Sequence, residues 1–238
     1  MGSCNAYESD SMQNLLGETL RPGGFKLTEI ALKYCGISGT DKILDLGCGR
    51  GATLRYLSEN HCISAVGIDL SEKLLADARS ELPEAELVLG RAEDLPFESN
   101  RFDCVFAECT LSLMDSTDEV LRQAHRVLKP NGWFIISDVY AKNPQALSEL
   151  RESAVNSCMR GMHELPVLEG KLREAGFSVT LTEDYSEFLK ELVVKIGFSY
   201  GSMSSFWNLS TENCVDGDDF ALKLKQCKPG YFLLIARK

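Results

Sequence analysis

Nine consecutive residues, Ile43-Leu44-Asp45-Leu46-Gly47-Cys48-Gly49-Arg50-Gly51, run an apolar segment and an acid into alternating glycines. Glycine lets a backbone approach a ligand that a Cβ would push away. A helix starting after such a turn offers N–H groups with no intrahelical partner. Twenty residues past Gly49 stands Asp69. At the end of a second parallel strand, a carboxylate in that place can take both hydroxyls of a ribose. The glycines miss the dinucleotide spacing, whose third position is Ala52, an accepted variant, so a nicotinamide cofactor stays open. Asp45 points the other way. It would repel a pyrophosphate and favour a cationic or amine-bearing ligand.

Other reactive residue types are scattered. The nine cysteines are odd in number and no pair has the two-residue spacing of a zinc or redox site. Cys35, Cys48, Cys62 and Cys104 read as small buried hydrophobes kept reduced. Of the three histidines, His61 and His125 read as surface residues. His163 falls in a stretch that could cover a substrate, although a place on a helix surface is the commoner role. Tyr7, Phe25, Tyr140, Tyr200, Phe206 and Trp207 could line a flat apolar pocket or simply pack a lid.

The elements that must position these groups alternate along the chain. Lys42–Leu46, Ser64–Asp69, Glu86–Gly90, Phe102–Ala107 and Trp133–Asp138 read as strands. Between them Thr53–Leu57, a helix capped by Ser71, and Asp118–Leu128 read as helices, with Lys129-Pro130-Asn131-Gly132 as a turn. Helical spacing also predicts Phe25–Cys35, Pro144–Met159, Leu165–Ala175 and Phe188–Ile196. Phe177–Thr182 and Tyr231–Ala236 read as strands, and residues 197–217 as a loop or lid. Strands alternating with helices predict an α/β fold, a doubly wound and mostly parallel sheet in one domain spanning 1–238.

Composition narrows the function. Hydrophobic residues make up 44% and the formal charge is −10, which suits a globular chain and disfavours a broad grip on nucleic acid. No stretch approaches the length of a membrane span, and the N-terminus lacks the apolar core of a signal peptide. The expectation is a cytoplasmic protein with a small-molecule substrate, no nucleic-acid and no membrane partner, acting as monomer or homodimer.

Four motifs in order carry a resemblance. Asp45–Gly51, Gly67-Ile68-Asp69-Leu70-Ser71, Gly90-Arg91-Ala92-Glu93-Asp94-Leu95-Pro96-Phe97 and Arg126-Val127-Leu128-Lys129-Pro130-Asn131-Gly132-Trp133 resemble those of class I S-adenosylmethionine-dependent methyltransferases. The match covers about residues 40–140 and is nearest to the branch of ubiquinone, menaquinone and arsenite methyltransferases. It implies S-adenosylmethionine as cofactor and a seven-stranded Rossmann-like sheet with an antiparallel last strand. Gly47, Cys48 and Gly49 would lie under the methionine moiety, with Asp45 near its amino group. Asp69 and Leu70 would meet the ribose, and Ala92, Glu93 and Asp94 the adenine. Glu108 and Cys109 would border the methionine end and the acceptor. Segments 1–24, 139–165 and 197–217 would cover the substrate, bringing in Tyr7, Cys158, His163 and Trp207. No residue stands out as a catalytic base, and no metal site is expected. Ser157-Cys158-Met159-Arg160-Gly161 also resembles the thiol-bearing stretch of arsenite methyltransferases, with Cys214 as a second ligand; a soft thiolate suits As(III). A small-molecule methyltransferase leads. An arsenite methyltransferase, a nicotinamide oxidoreductase and a non-catalytic cofactor-binding module are the alternatives.

Overall fold

The computed structural model describes Thr19, residues 21–211 and residues 216–238. Seven strands form one sheet: β1 (Ile43–Leu46), β2 (Ala65–Asp69), β3 (Glu86–Leu89), β4 (Phe102–Glu108), β5 (Leu128–Ala141), β6 (Ser178–Asp184) and β7 (Pro229–Arg237). Their order is β3-β2-β1-β4-β5-β7-β6. β1 to β5 pair in parallel, and β7 runs antiparallel to both β5 and β6. The strand order therefore reverses at β1 and β4. Ligands in such sheets bind at that reversal, beyond the carboxyl ends of the strands.

The central strands are apolar on both faces because both are covered. Ile43, Cys104, Phe106 and Ile135 point into one core, and Leu44, Leu46, Val105, Phe134 and Ile136 into the other; all nine are fully buried. Such strands read as continuous apolar runs. The first core takes α1 (Lys26–Cys35) through Leu27 and Ala31 and α2 (Ala52–His61) through Leu54 and Leu57. α3 (Glu72–Glu81) starts at Ser71, whose hydroxyl accepts from Leu74 N. The second core takes α4 (Thr117–Val127) and α6 (Leu165–Glu174), through Leu121, Ala124, Leu168 and Leu172. Each fully buried leucine is worth about 1.5–3 kcal/mol.

Several sequence expectations need correction. Pro144–Met159 is not one helix. A 3₁₀ turn (Pro144–Ala146) leads into the five-residue α5 (Leu147–Arg151), and the chain then leaves helical geometry. His163 returns alongside β5, its N–H donating to Val139 O and its carbonyl accepting from Ala141 N. Those bonds satisfy the backbone groups of His163 against the strand rather than in a helix. The described part of 197–217 is largely helical rather than a loop. α7 (Ser186–Tyr200) extends into it and α8 (Met203–Ser210) follows, capped by Ser202, whose Oγ accepts from Ser205 N. α9 (Gly217–Cys227) comes next, capped by Asp216 and burying Phe220, Leu224 and Cys227. Lys129–Gly132 lies inside β5 as a register shift, with Asn131 at φ 63°. Cys62 is exposed at the left-handed end of α2 rather than buried. No helix among the described residues is long and apolar enough to cross a membrane.

Candidate active site

A cavity of about 730 Å³ opens over the carboxyl ends of β1, β2 and β4. Its floor is the glycine turn. Gly47 N and Cys48 N both donate to Ile68 O, at 2.8 and 3.1 Å, which folds the turn across the end of β2. Gly47 has φ +69°, and a Cβ there would stand 2.5 Å from Thr110 Cγ2. Gly49 has φ +53°, and the place of its missing Cβ has no heavy atom within 4 Å. A side chain at Gly49 would fill space that now belongs to the cavity. Gly49 N donates to Asp69 Oδ2 and Ser71 N to Asp69 Oδ1, both at 2.8 Å. Two backbone groups thus fix this carboxylate at the cavity wall.

Asp45 is 3% exposed and lines the same cavity. Among the described residues no side-chain or backbone donor reaches its carboxylate. Burial, and then Glu108, push its pKa well above the usual value; Arg21 opposes them and Asp69 adds to them. A buried carboxylate with one side open to a cavity can accept a cationic or hydrogen-bond-donating ligand.

Glu108 has the opposite character. Its Oε2 lies 2.7 Å from Arg21 Nη1. Thr28 Oγ1 donates to Glu108 Oε1 and Thr53 Oγ1 to Oε2, at 2.8 and 3.1 Å. Arg21 also donates to Thr53 Oγ1, Thr28 Oγ1 and Gly24 O. This buried pair is satisfied on every side, the condition for tolerating two charges in an interior. It ties the segment before α1 to the end of β4. Sequence reading missed Arg21, whose only signal was the Arg-Pro-Gly-Gly turn ahead of a helix.

On the β3 side, Ala92 and Glu93 line the cavity and Asp94 is exposed outside it. Glu93 Oε1 accepts from Asp115 N at 2.9 Å. Arg91 bridges Asp115 and Glu93 at 2.5 and 3.4 Å. Leu70, Leu113 and Met114 supply apolar wall, with Leu70 63% exposed. On the β4 side, Cys109, Thr110, Asn156 and Arg160 line the remaining end. Cys109 has φ +56°, and its Sγ lies 3.3 Å from Tyr231 Oη. Burial and then Asp138 push its pKa well up, which keeps the thiol protonated.

The cavity therefore gathers Asp45, Gly47, Cys48, Gly49, Asp69, Leu70, Ala92, Glu93, Glu108 and Cys109, and leaves out four of the described residues expected at the cofactor or substrate. Besides Asp94, these are Cys158, in the apolar core at 8% exposed, and His163, buried with its Nε2 3.5 Å from Asp138 Oδ2. The last is Trp207, packed edge-on between Phe206 and Phe220. His163 is thus a buried residue beside β5 and not a helix-surface one. Phe25, Tyr140, Tyr200 and Phe206 do not line the cavity either. Tyr7 and Cys214 lie outside the described residues. Among the described residues no cluster of three or more His, Cys, Asp or Glu could hold a metal ion.

Known proteins resemble this chain in sequence and in fold. Residues 44–136 match a family described as a methyltransferase domain. The chain is 31% identical over 164 residues to a Bacillus subtilis protein described as the uncharacterized methyltransferase YodH, covering 67% of this chain and 69% of that one. It is 27% identical over 232 residues to phosphoethanolamine N-methyltransferase 1 of Triticum aestivum, covering 91% of this chain and 45% of that protein. More generally, it spans about half the length of the curated relatives it matches. The solved structure of Haemonchus contortus phosphoethanolamine N-methyltransferase 2 in complex with S-adenosyl-L-methionine shares the fold. Its TM-score is 0.76 at 19% identity, over 96% of this chain and 56% of that one. With the seven-stranded order, the glycine turn and the strand-end acids inside the matched region, the chain belongs to the class I S-adenosylmethionine-dependent methyltransferase family, and S-adenosylmethionine is its cofactor.

Proposed function

We propose that the protein transfers a methyl group from S-adenosylmethionine to a small-molecule acceptor by in-line displacement. The observation that carries this reading is Asp45: a buried carboxylate, open to the cavity, with no donor among the described residues. The cofactor's ammonium group is the partner it lacks. On this reading Asp69, already oriented by Gly49 N and Ser71 N, accepts from the ribose hydroxyls. Gly49 leaves room for the chain of the methionine, and Ala92, Leu70, Leu113 and Met114 flank the base, with Glu93 within reach of its amino group. The bound sulfonium supplies an already activated methyl carbon. The residues of the chain then have to orient two reactants and exclude water, and orientation alone can account for much of the rate. An acceptor attacking through a free lone pair needs no proton removed first.

The acceptor would enter at the Cys109–Arg160 end, beyond β4. The seven free cysteines among the described residues fit a reducing compartment, the cytoplasm. The arsenite alternative draws no support from the site, because Cys158 does not line it. Calorimetry with S-adenosylhomocysteine tests the cofactor half. Tight 1:1 binding is expected, weakened by about 2 kcal/mol in Asp69→Ala, since two ligand hydroxyls lose a charged acceptor. Equal affinity in the two proteins would remove the basis for the assignment. A screen of candidate acceptors with methyl-labelled cofactor tests the transfer.

A further inference from the structure

The guanidinium groups at the cavity wall differ in how they are neutralised. Arg21 is paired with Glu108 at 2.7 Å, Arg50 with Asp77 at 2.8 Å, and Arg91 with Asp115 at 2.5 Å. Arg160 has no carboxylate partner among the described residues. Its side-chain bond among those residues is a long one, from Nη1 to Ser153 O at 3.4 Å.

Arg160 is also held in place. Arg160 N donates to Ser157 O and Gly161 N to Cys158 O, closing a tight turn. Gly161 then packs directly on the 3₁₀ turn after β4 (Leu111–Leu113): any Cβ added to it would collide with Ser112 O. Ser112 in turn donates through N and Oγ to the buried Asp138 of β5. The segment carrying Asn156 and Arg160 is thus fastened to the ends of β4 and β5. In the sheet, β5 lies on the far side of β4 from β1 and β2, where Asp45 and Asp69 stand. The unneutralised cation therefore belongs to the half of the cavity that the cofactor reading leaves for the acceptor.

A half-buried guanidinium with unused donors is suited to a planar or tetrahedral oxyanion, which it can grip through two parallel N–H bonds. We propose that Arg160, assisted by the amide of Asn156, binds an anionic oxygen group of the acceptor, a phosphate monoester or a carboxylate. The acceptor is then a small molecule carrying its nucleophile and that anion together. Arg160 selects it by leaving acceptors without the anion facing an unpaired charge. The inference rests on the methyltransferase reading for the location of the acceptor.

The test is calorimetry on the full chain saturated with S-adenosylhomocysteine, with inorganic phosphate and acetate as probes. Saturable binding of at least one probe is expected, and the one that binds tighter tells phosphate from carboxylate. Arg160→Gln should weaken that probe by about tenfold or more, and Arg160→Lys should restore part of it, because a point charge keeps attraction without the bidentate geometry. Affinity for S-adenosylhomocysteine should stay within about twofold in both variants, a difference too small to reflect a lost charged contact. Three results would overturn the proposal: no binding of either anion, unchanged binding in Arg160→Gln, or a matching loss of S-adenosylhomocysteine affinity. The last would make Arg160 a partner of the cofactor's own carboxylate. Failure of the unaltered protein to bind S-adenosylhomocysteine would instead sink the cofactor reading beneath both.

Discussion

Asp45 sits where burial penalises its charge and Glu108 and Asp69 repel it, with Arg21 opposing them, so its carboxyl holds a proton well above the usual 3.8. In that interval the folded state binds more protons than the unfolded chain. Stability from this group is therefore greatest below the usual value and falls as pH rises through the folded one. A ligand ammonium against the carboxylate reverses the preference, so cofactor binding should expel the proton. Affinity for S-adenosylhomocysteine is then expected to climb with pH through this window and level off above it. Asp45→Asn should bind more weakly and with a flatter profile. Calorimetry in buffers of different ionisation heat reads the released proton directly; a wild-type profile as flat as that of the variant would refute the pairing. Asp45 and Asp69 were legible as acids lining the cavity, because an acid at a strand end beside glycines is a local sequence pattern. Glu108 was legible as a position but not as one half of a buried ion pair. Its partner Arg21 is 87 residues away, and no spacing rule connects the two.

At the level of elements, what the sequence revealed follows how each element is stabilised. β1 and β2 announce themselves by short apolar runs, since both faces of a central parallel strand are covered. α8 hid behind Gly201 and Ser202, which look like loop residues. Ser202 is in fact the cap, and Met203, Phe206, Trp207 and Ser210 keep helical spacing. The stretch after α5 shows the opposite failure: apolar spacing suggested a helix to Met159, but the chain leaves helical geometry after Arg151, and just beyond it Gly161 fits against a backbone carbonyl of a distant turn. Gly161→Ala tests that contact. The added methyl must displace Ser112 or its own segment, at a cost of about 1–3 kcal/mol for overpacking. Urea unfolding should show the loss. Because Arg160 is the neighbouring residue, anion binding at the acceptor end should weaken while S-adenosylhomocysteine affinity is retained. Wild-type stability in this variant would mean that the segment is not fastened to the 3₁₀ turn.

Across the whole molecule, the cavity is assembled from pieces that share little sequence. Arg21 comes from before α1, Asp69 from β2, Glu108 from β4 and Arg160 from beyond β5. The Arg21–Glu108 pair and the Gly161–Ser112 contact join the outer segments to the sheet. A ligand spanning this site can form its contacts only when the sheet and both segments are in place. Its binding free energy therefore adds to global stability rather than to one loop. At about a hundred times its dissociation constant, S-adenosylhomocysteine should add about 2.7 kcal/mol. For a chain of this size that corresponds to a rise in Tm of roughly 5–10 °C. NADH at the same concentration should leave Tm unchanged, because Asp45 under the glycine turn would face a pyrophosphate with like charge. Scanning calorimetry with each compound decides between the two cofactors, and a rise with NADH but not with S-adenosylhomocysteine would place the cofactor assignment in error.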